Sequence, residues 1–263
     1  MKKSYKVLCA ILAIALVAFF AISQWGGLSD KLGLKAGKFN ETLFASNKDA
    51  EKKDTTAVKK VEEKKPGKEE VDTTKKTILF IGDSMVECLF PRMSAYAKKN
   101  GHTFYAVVWY SSTTEVYGTR TTVKEYIDKY HPDYILFSLG GNELFVRDIK
   151  ENRQKYVDEI IKQFGDIPYI WIGPPNWKPD TGINDMIKSS VPEGCFYLSY
   201  TDDQHYDRKK DGAHPNAASS MLWMDRICKW IMDKSAHRIK LEAPPAGEKA
   251  RPDDLVLLQP LGN

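Results

Sequence analysis

The feature that most constrains this chain is an alternation. Short apolar runs at 77–81 (TILFI), 103–108 (TFYAVV), 133–139 (DYILFSL), 167–172 (IPYIWI) and 195–198 (CFYL) are separated by stretches with helical spacing. Runs this short and this continuously apolar suit strands buried on both faces. The first ends at Gly82 and is followed by a helical pattern through Lys99; the second precedes one that reaches Tyr130. Val157, Ile160, Ile161 and Phe164 fall at i, i+3, i+4 and i+7, the stripe of an amphipathic helix, and a last helix is expected from about Asn216 to Ala236. Such alternation predicts an α/β fold with a parallel sheet covered on both faces. Five strands make it a flavodoxin-like three-layer α/β/α sandwich.

The rest of the chain differs in character. Lys2, Lys3 and Lys6 precede an unbroken apolar run, Val7 to Ile22. Residues 1–22 therefore read as a membrane anchor or a signal segment. Ala21 and Ser23 are small enough for a cleavage site, but the long tether that follows favours a retained anchor. Either way, basic residues ahead of the run leave the remainder outside the cytoplasm, in a periplasm or on a cell surface. Residues 23–75 read as a charged linker: the stretch 48–76 holds ten Lys, eight Asp or Glu and no aromatic residue. It cannot bury enough apolar surface to offset its ordering entropy. That assigns the folded domain to 76–241 and leaves 242–263, with APPAGEKARPDD, as an irregular C-terminal tail. With 39 basic against 35 acidic side chains in 263 residues, charge gives no case for a nucleic-acid partner.

Ligands of open parallel sheets bind beyond the carboxyl ends of the strands. There the sequence places Gly82-Asp83-Ser84, then Tyr110-Ser111-Ser112, Gly140-Gly141-Asn142-Glu143, Gly173-Pro174-Pro175-Asn176-Trp177, and a loop holding Asp211-Gly212-Ala213-His214-Pro215. A serine at a helix start, a histidine and a carboxylate three residues before it have the chemistry of an activated nucleophile. His214 can take the Ser84 proton, and Asp211 can hold the imidazole in the required tautomer. The Ser84 N–H and the Asn142 amide can donate to a developing oxyanion.

These blocks resemble the SGNH (GDSL-type) hydrolase superfamily, named for its Ser, Gly, Asn and His. Gly82-Asp83-Ser84 is similar to the first block, Gly140-Gly141-Asn142-Glu143 to the third and Asp211-Gly212-Ala213-His214-Pro215 to the last. The resemblance implies the three-layer sandwich, no metal or other cofactor, and ester hydrolysis or acyl transfer through an acyl-serine. There are two departures. Glu143 stands where Asp is usual, and the glycine of the second block is missing. By position Ser111 replaces that glycine, which makes Ser84, Ser111 and Asn142 the expected oxyanion donors.

Of the other histidines, His102 and His131 precede strands and belong to the opposite edge, and His237 follows the last helix. His205 is the rival to His214, because Asp202 gives it the same spacing. Cys88, Cys195 and Cys228 show no metal spacing and read as buried free thiols, with one disulfide as the alternative. Trp109, Tyr110, Tyr117, Phe145 and Trp177 crowd the active edge, with Arg120 and Arg147 near them in sequence. Tyr110, Phe145, Arg147 and Trp177 are the candidate substrate contacts, through stacking on sugar rings and pairing with acidic groups. The expected substrate is an acylated, above all O-acetylated, carbohydrate of the cell envelope. The membrane, through the N-terminal segment, and a membrane-bound acyl donor are the expected partners. An O-acyltransferase using the same triad and a non-catalytic glycan-binding module stay open as alternatives.

Overall fold

The computed structural model describes residues 70–201 and 205–262. The apolar run Val7 to Ile22 and most of the linker lie outside them. Among the described residues, no helix is long and apolar enough to cross a membrane.

Six strands form one parallel sheet: β1 (Thr77–Gly82), β2 (Thr103–Trp109), β3 (Tyr134–Ser138), β4 (Tyr169–Ile172), β5 (Phe196–Tyr197) and β6 (Asp254–Leu258), in the order β5-β4-β3-β1-β2-β6. The helices between them are α1 (Met85–Asn100), α2 (Thr114–Gly118), α3 (Thr122–Tyr130), α4 (Ile149–Phe164), α5 (Ile183–Ser190) and α6 (Ala217–Lys234). Consecutive residues of β1 point to opposite faces, and all are buried from Ile78 on. Ile78 and Phe80 join a core with Leu89 and Met93 of α1 and Trp223, Ile227 and Ile231 of α6. Leu79 and Ile81 join the second core, with Tyr117, Val123, Val157, Ile160, Phe164 and Ile187. Burial on both faces is why the strands read as continuous apolar runs.

The register fixes where the chemistry emerges. Gly82 lies opposite Val108 of β2 and Ser138 of β3, so the three strands end level. After β1 the chain crosses to β2 on one side and then returns to β3 on the other. The β1/β3 boundary is thus the point where the winding direction switches, and a crevice opens there.

The sheet has six strands, not five, because the segment read as an irregular tail supplies β6. Buried Arg92 of α1 seats that segment: its Nη1 donates to Pro245 O at 2.8 Å and Glu248 O at 2.9 Å, and its Nε donates to Asp225 at 2.7 Å. Tyr96 donates to the same carboxylate at 2.8 Å. The chain then pairs along β2, with the Asp253 carboxylate accepting the Phe104 N–H at 2.8 Å. At the other boundary, Asp72 of the expected linker belongs to the fold. It accepts from Lys240 N–H and donates its own N–H to Arg238 O, both at 2.9 Å. His102 closes the same end of the sheet, with Nδ1 accepting from Lys76 N–H at 3.0 Å and Nε2 donating to Lys240 O at 2.7 Å.

Candidate active site

The turn after β1 is set by steric approach. A Cβ on Gly82 would overlap the carbonyl oxygen of Ser138, so the residue that ends β1 can only be glycine. The Asp83 N–H then donates to that same Ser138 carbonyl at 3.0 Å. Asp83 is buried, and its Oδ1 accepts the Met85 N–H of the first turn of α1 at 2.9 Å. Asp83 thereby caps the helix, a task usually done by the serine at such a position. Ser84 makes no side-chain capping bond. Its hydroxyl is left for His214: Ser84 Oγ and His214 Nε2 are 2.8 Å apart.

Asp211 sets the orientation and tautomer of that imidazole. Its Oδ1 accepts the backbone N–H groups of Ala213 and His214 at 2.8 and 2.9 Å, and its Oδ2 faces His214 Nδ1 at 3.0 Å. These bonds, the His214 N–H first, hold the Asp211 carboxyl down at about 2. An ionised carboxylate only accepts, so Nδ1 carries the proton and Nε2 presents its lone pair to the Ser84 hydroxyl. A serine thus meets a histidine 130 residues later and the aspartate three residues before that histidine, in the order proton transfer requires.

Two further strand ends complete the site. β2 closes in a turn in which Ser112 N–H donates to Trp109 O at 3.2 Å. Within it Ser111 has φ 56°, the left-handed region that glycine adopts without a Cβ penalty. Ser111 thus holds a backbone conformation more usual for glycine. Asn142 follows β3 in a single 3₁₀ turn, and its Nδ2 donates to Ser112 O at 2.9 Å. One amide hydrogen is spent on holding the two loops together, and the other remains for a ligand. Glu143 ties them more firmly. Buried, it accepts from Thr114 N–H at 2.7 Å, Thr114 Oγ1 at 2.8 Å and Arg153 Nε at 2.7 Å. Burial nevertheless pushes its carboxyl above the ordinary value. The longer side chain therefore bridges the β3 loop, the start of α2 and helix α4.

The structure sorts the remaining candidates. His205 is 91% exposed and lies 3.7 Å from Asp207, whereas the imidazole on Ser84 Oγ is that of His214; Asp202 lies outside the described residues. The aromatic edge is smaller than the sequence suggests. Tyr117 is fully buried, its hydroxyl on Gly82 O at 3.1 Å, and Trp109 packs edge-on against it with its indole N–H on Gln259 O. Tyr110 packs partly against the α1/α6 core. Phe145, half exposed, meets Trp177 edge to face at 6.0 Å, and exposed Arg147 follows two residues on. Cys88, Cys195 and Cys228 are buried free thiols.

Two features of the site escaped the sequence reading. Beyond Tyr110 and Ser111 a groove of about 420 Å³ is walled by Val116, Pro260 and Leu261, so the C-terminal segment reaches the edge of the site. Arg208 binds the carbonyls of Ala213, Pro175 and Asn176. A guanidinium six residues before His214 is a signal only once the loop is known to fold back on itself.

No protein-family model and no curated protein sequence matches the chain. Solved structures similar to it include the psychrotrophic esterase EstA from Pseudoalteromonas sp., 16% identical over 59% of this chain and 96% of its own, TM-score 0.42. A lipase/acylhydrolase from Enterococcus faecalis is 17% identical over 59% and 95%, TM-score 0.45. A family 3 carbohydrate esterase from Clostridium thermocellum is 14% identical over 61% and 96%, TM-score 0.44.

Proposed function

We propose that this chain is a serine hydrolase of the SGNH type that removes or transfers an O-acyl group through an acyl-serine. The observation that carries the reading is the Ser84–His214–Asp211 relay, at 2.8 and 3.0 Å. His214 Nε2 takes the hydroxyl proton as Ser84 Oγ attacks the ester carbonyl, and returns it to the departing alkoxide. The carbonyl oxygen becomes an oxyanion beside the start of α1. The Ser84 N–H, the Ser111 N–H and the second hydrogen of the Asn142 amide stabilise it. Asp211 stays ionised and holds the imidazole. Water, or a second hydroxyl, then enters by the reverse path.

The substrate we assign is an O-acylated, above all O-acetylated, carbohydrate of the cell envelope. The pair of exposed Phe145 and partly buried Trp177 supports it, since aromatic side chains suit sugar rings. Arg147 supports an acidic glycan. The extracytoplasmic setting rests on Lys2, Lys3 and Lys6 ahead of the Val7 to Ile22 run.

The test is release of 4-nitrophenol from its acetate ester by the detergent-solubilised full chain, beside Ser84→Ala. Release is expected to fall by roughly 10⁴- to 10⁶-fold in the variant. Equal release by both proteins would sink the reading. An acceptor oligosaccharide that raises release and itself becomes acetylated would make the enzyme a transferase.

A further inference from the structure

Asp211 and His214 sit on a loop whose internal bonds define its shape. Arg208 pairs antiparallel with Pro215, Lys209 N–H donates to His214 O at 2.8 Å, Gly212 N–H to Lys209 O at 3.0 Å, and Asn216 N–H to Asp207 O at 2.8 Å. Both ends of the loop are fastened to α6. The Asp207 N–H donates to Ser219 Oγ, and the Asn216 side chain caps the helix by accepting the Ser219 N–H, each at 2.9 Å. These bonds leave one question open, which is what holds the loop against the sheet at the distance Ser84 needs.

Close to His214, one connection runs through Arg208. Arg208 Nη1 donates to Ala213 O, next to His214, at 2.8 Å. Nη2 donates to Pro175 O at 2.8 Å and to Asn176 O at 2.9 Å, both in the turn that follows β4. That turn is itself braced: the Asp180 carboxylate accepts from the Asn176 and Asn184 amides and from the Gly182 N–H. Neutral carbonyls, not a carboxylate, receive the guanidinium. A planar fork meets the two loops with two separate nitrogens in fixed directions, whereas the three donors of an ammonium radiate from a single nitrogen.

We propose that Arg208 is a positioning residue for the hydrolytic relay, locking the His214 loop onto the β4 turn so that Nε2 stays within hydrogen-bond reach of Ser84 Oγ. The proposal rests on the serine-hydrolase reading above. Arg208 acts through Ala213 and the loop. A displacement of about 1 Å at a reacting pair can cost about a hundredfold in rate. The same turn carries Trp177, so the lock also sets the catalytic histidine relative to the aromatic pair.

The experiment uses the full chain as wild type, Arg208→Lys and Arg208→Ala. A fluorophosphonate ester that labels active serines gives the number of competent sites and the labelling rate at Ser84, identified by peptide mass. The 4-nitrophenyl acetate assay then gives kcat per labelled site and KM. The expected result is full eventual labelling, but at a rate about a hundredfold lower in Arg208→Ala and about tenfold lower in Arg208→Lys. The fall in kcat per site should match, with KM near that of wild type. Fewer labelled sites, each reacting at the wild-type rate, would show a merely structural role and overturn the proposal. So would wild-type rates in both variants. A wild type that does not label at Ser84 would overturn the hydrolase reading, and Arg208's role with it.

Discussion

The two halves of the candidate relay are built by different physics. The Ser84 half is made by packing: β1 ends against β3 at a contact that admits no Cβ, and Asp83 and Glu143 behind it are each 1% exposed. The His214 half is made by hydrogen bonds in a loop at the surface, where the Asp211 and His214 side chains are 47% and 28% exposed. A packed turn tolerates almost no substitution but needs no partner to hold its shape. A bonded loop tolerates change in its exposed residues and depends on each donor that fixes it. Ser84 is therefore placed by packing, and His214 by hydrogen bonds within its loop and from the loop to the β4 turn.

The largest effect that tests this contrast falls on the bonded half. Asp211→Asn keeps an oxygen for the Ala213 and His214 N–H groups but presents an amide to Nδ1. The imidazole then favours the tautomer with its proton on Nε2, which cannot take one from Ser84. Turnover should fall about 10⁴-fold while the denaturation midpoint stays near that of wild type, because the site is exposed. A matching loss of stability would show that Asp211 holds the fold as well as the ring.

The packed half should answer to pH instead. Desolvation pushes the Asp83 carboxyl up to about 7 from its ordinary value near 3.8, against the lowering effect of the Met85 N–H. Between those values the native state binds a proton that the unfolded chain has released. Its contribution to stability is thus complete below about pH 4 and is lost as pH rises toward 7. Asp83→Asn keeps an acceptor for Met85 and cannot ionise, so that decline should vanish from its profile. His102 slopes the other way: burial lowers its value, so stability falls as acid protonates the unfolded chain first. The difference between variant and wild type, taken by urea unfolding at successive pH values, cancels the His102 contribution. A difference that does not change between pH 4 and 7 would mean that Asp83 is ionised in its pocket.

How much of this was legible in the sequence follows the same division. Strands β1 to β5 showed because burial leaves each a short run of apolar residues whatever its partner. β6 did not: DLVLL lies at the sheet edge with Leu255 and Leu257 exposed, and it pairs with β2, about 150 residues earlier. The buried Arg92 that steers the chain there reads in sequence as one more basic helical residue. Helix α5, eight residues long, was also not anticipated. Ser84, Asn142, Asp211 and His214 were legible because strand ends gather at one edge of a parallel sheet. Trp109 and Tyr117 lie at that edge but are buried, since closeness in sequence to a motif does not say which way a side chain faces. Arg208 stayed hidden because its acceptors are backbone carbonyls, which leave no trace in residue identity.

Ser111 is where the two kinds of construction meet, and it gives the smallest effect. Its φ of 56° is imposed by the Trp109–Ser112 turn, and a left-handed non-glycine residue carries about 1–2 kcal/mol of strain. Glycine would remove that strain but lose about 0.5–1 kcal/mol to the greater freedom of the unfolded chain. Ser111→Gly should therefore be more stable by about 0.5–1 kcal/mol, read from the urea midpoint at unchanged slope. Its turnover should stay within about threefold of wild type, because a backbone N–H donates from glycine as well as from serine. A large loss of turnover with stability gained would move the function of this position from the backbone to the hydroxyl. The β2 loop would then belong with the His214 loop, as a structure held by its side chains.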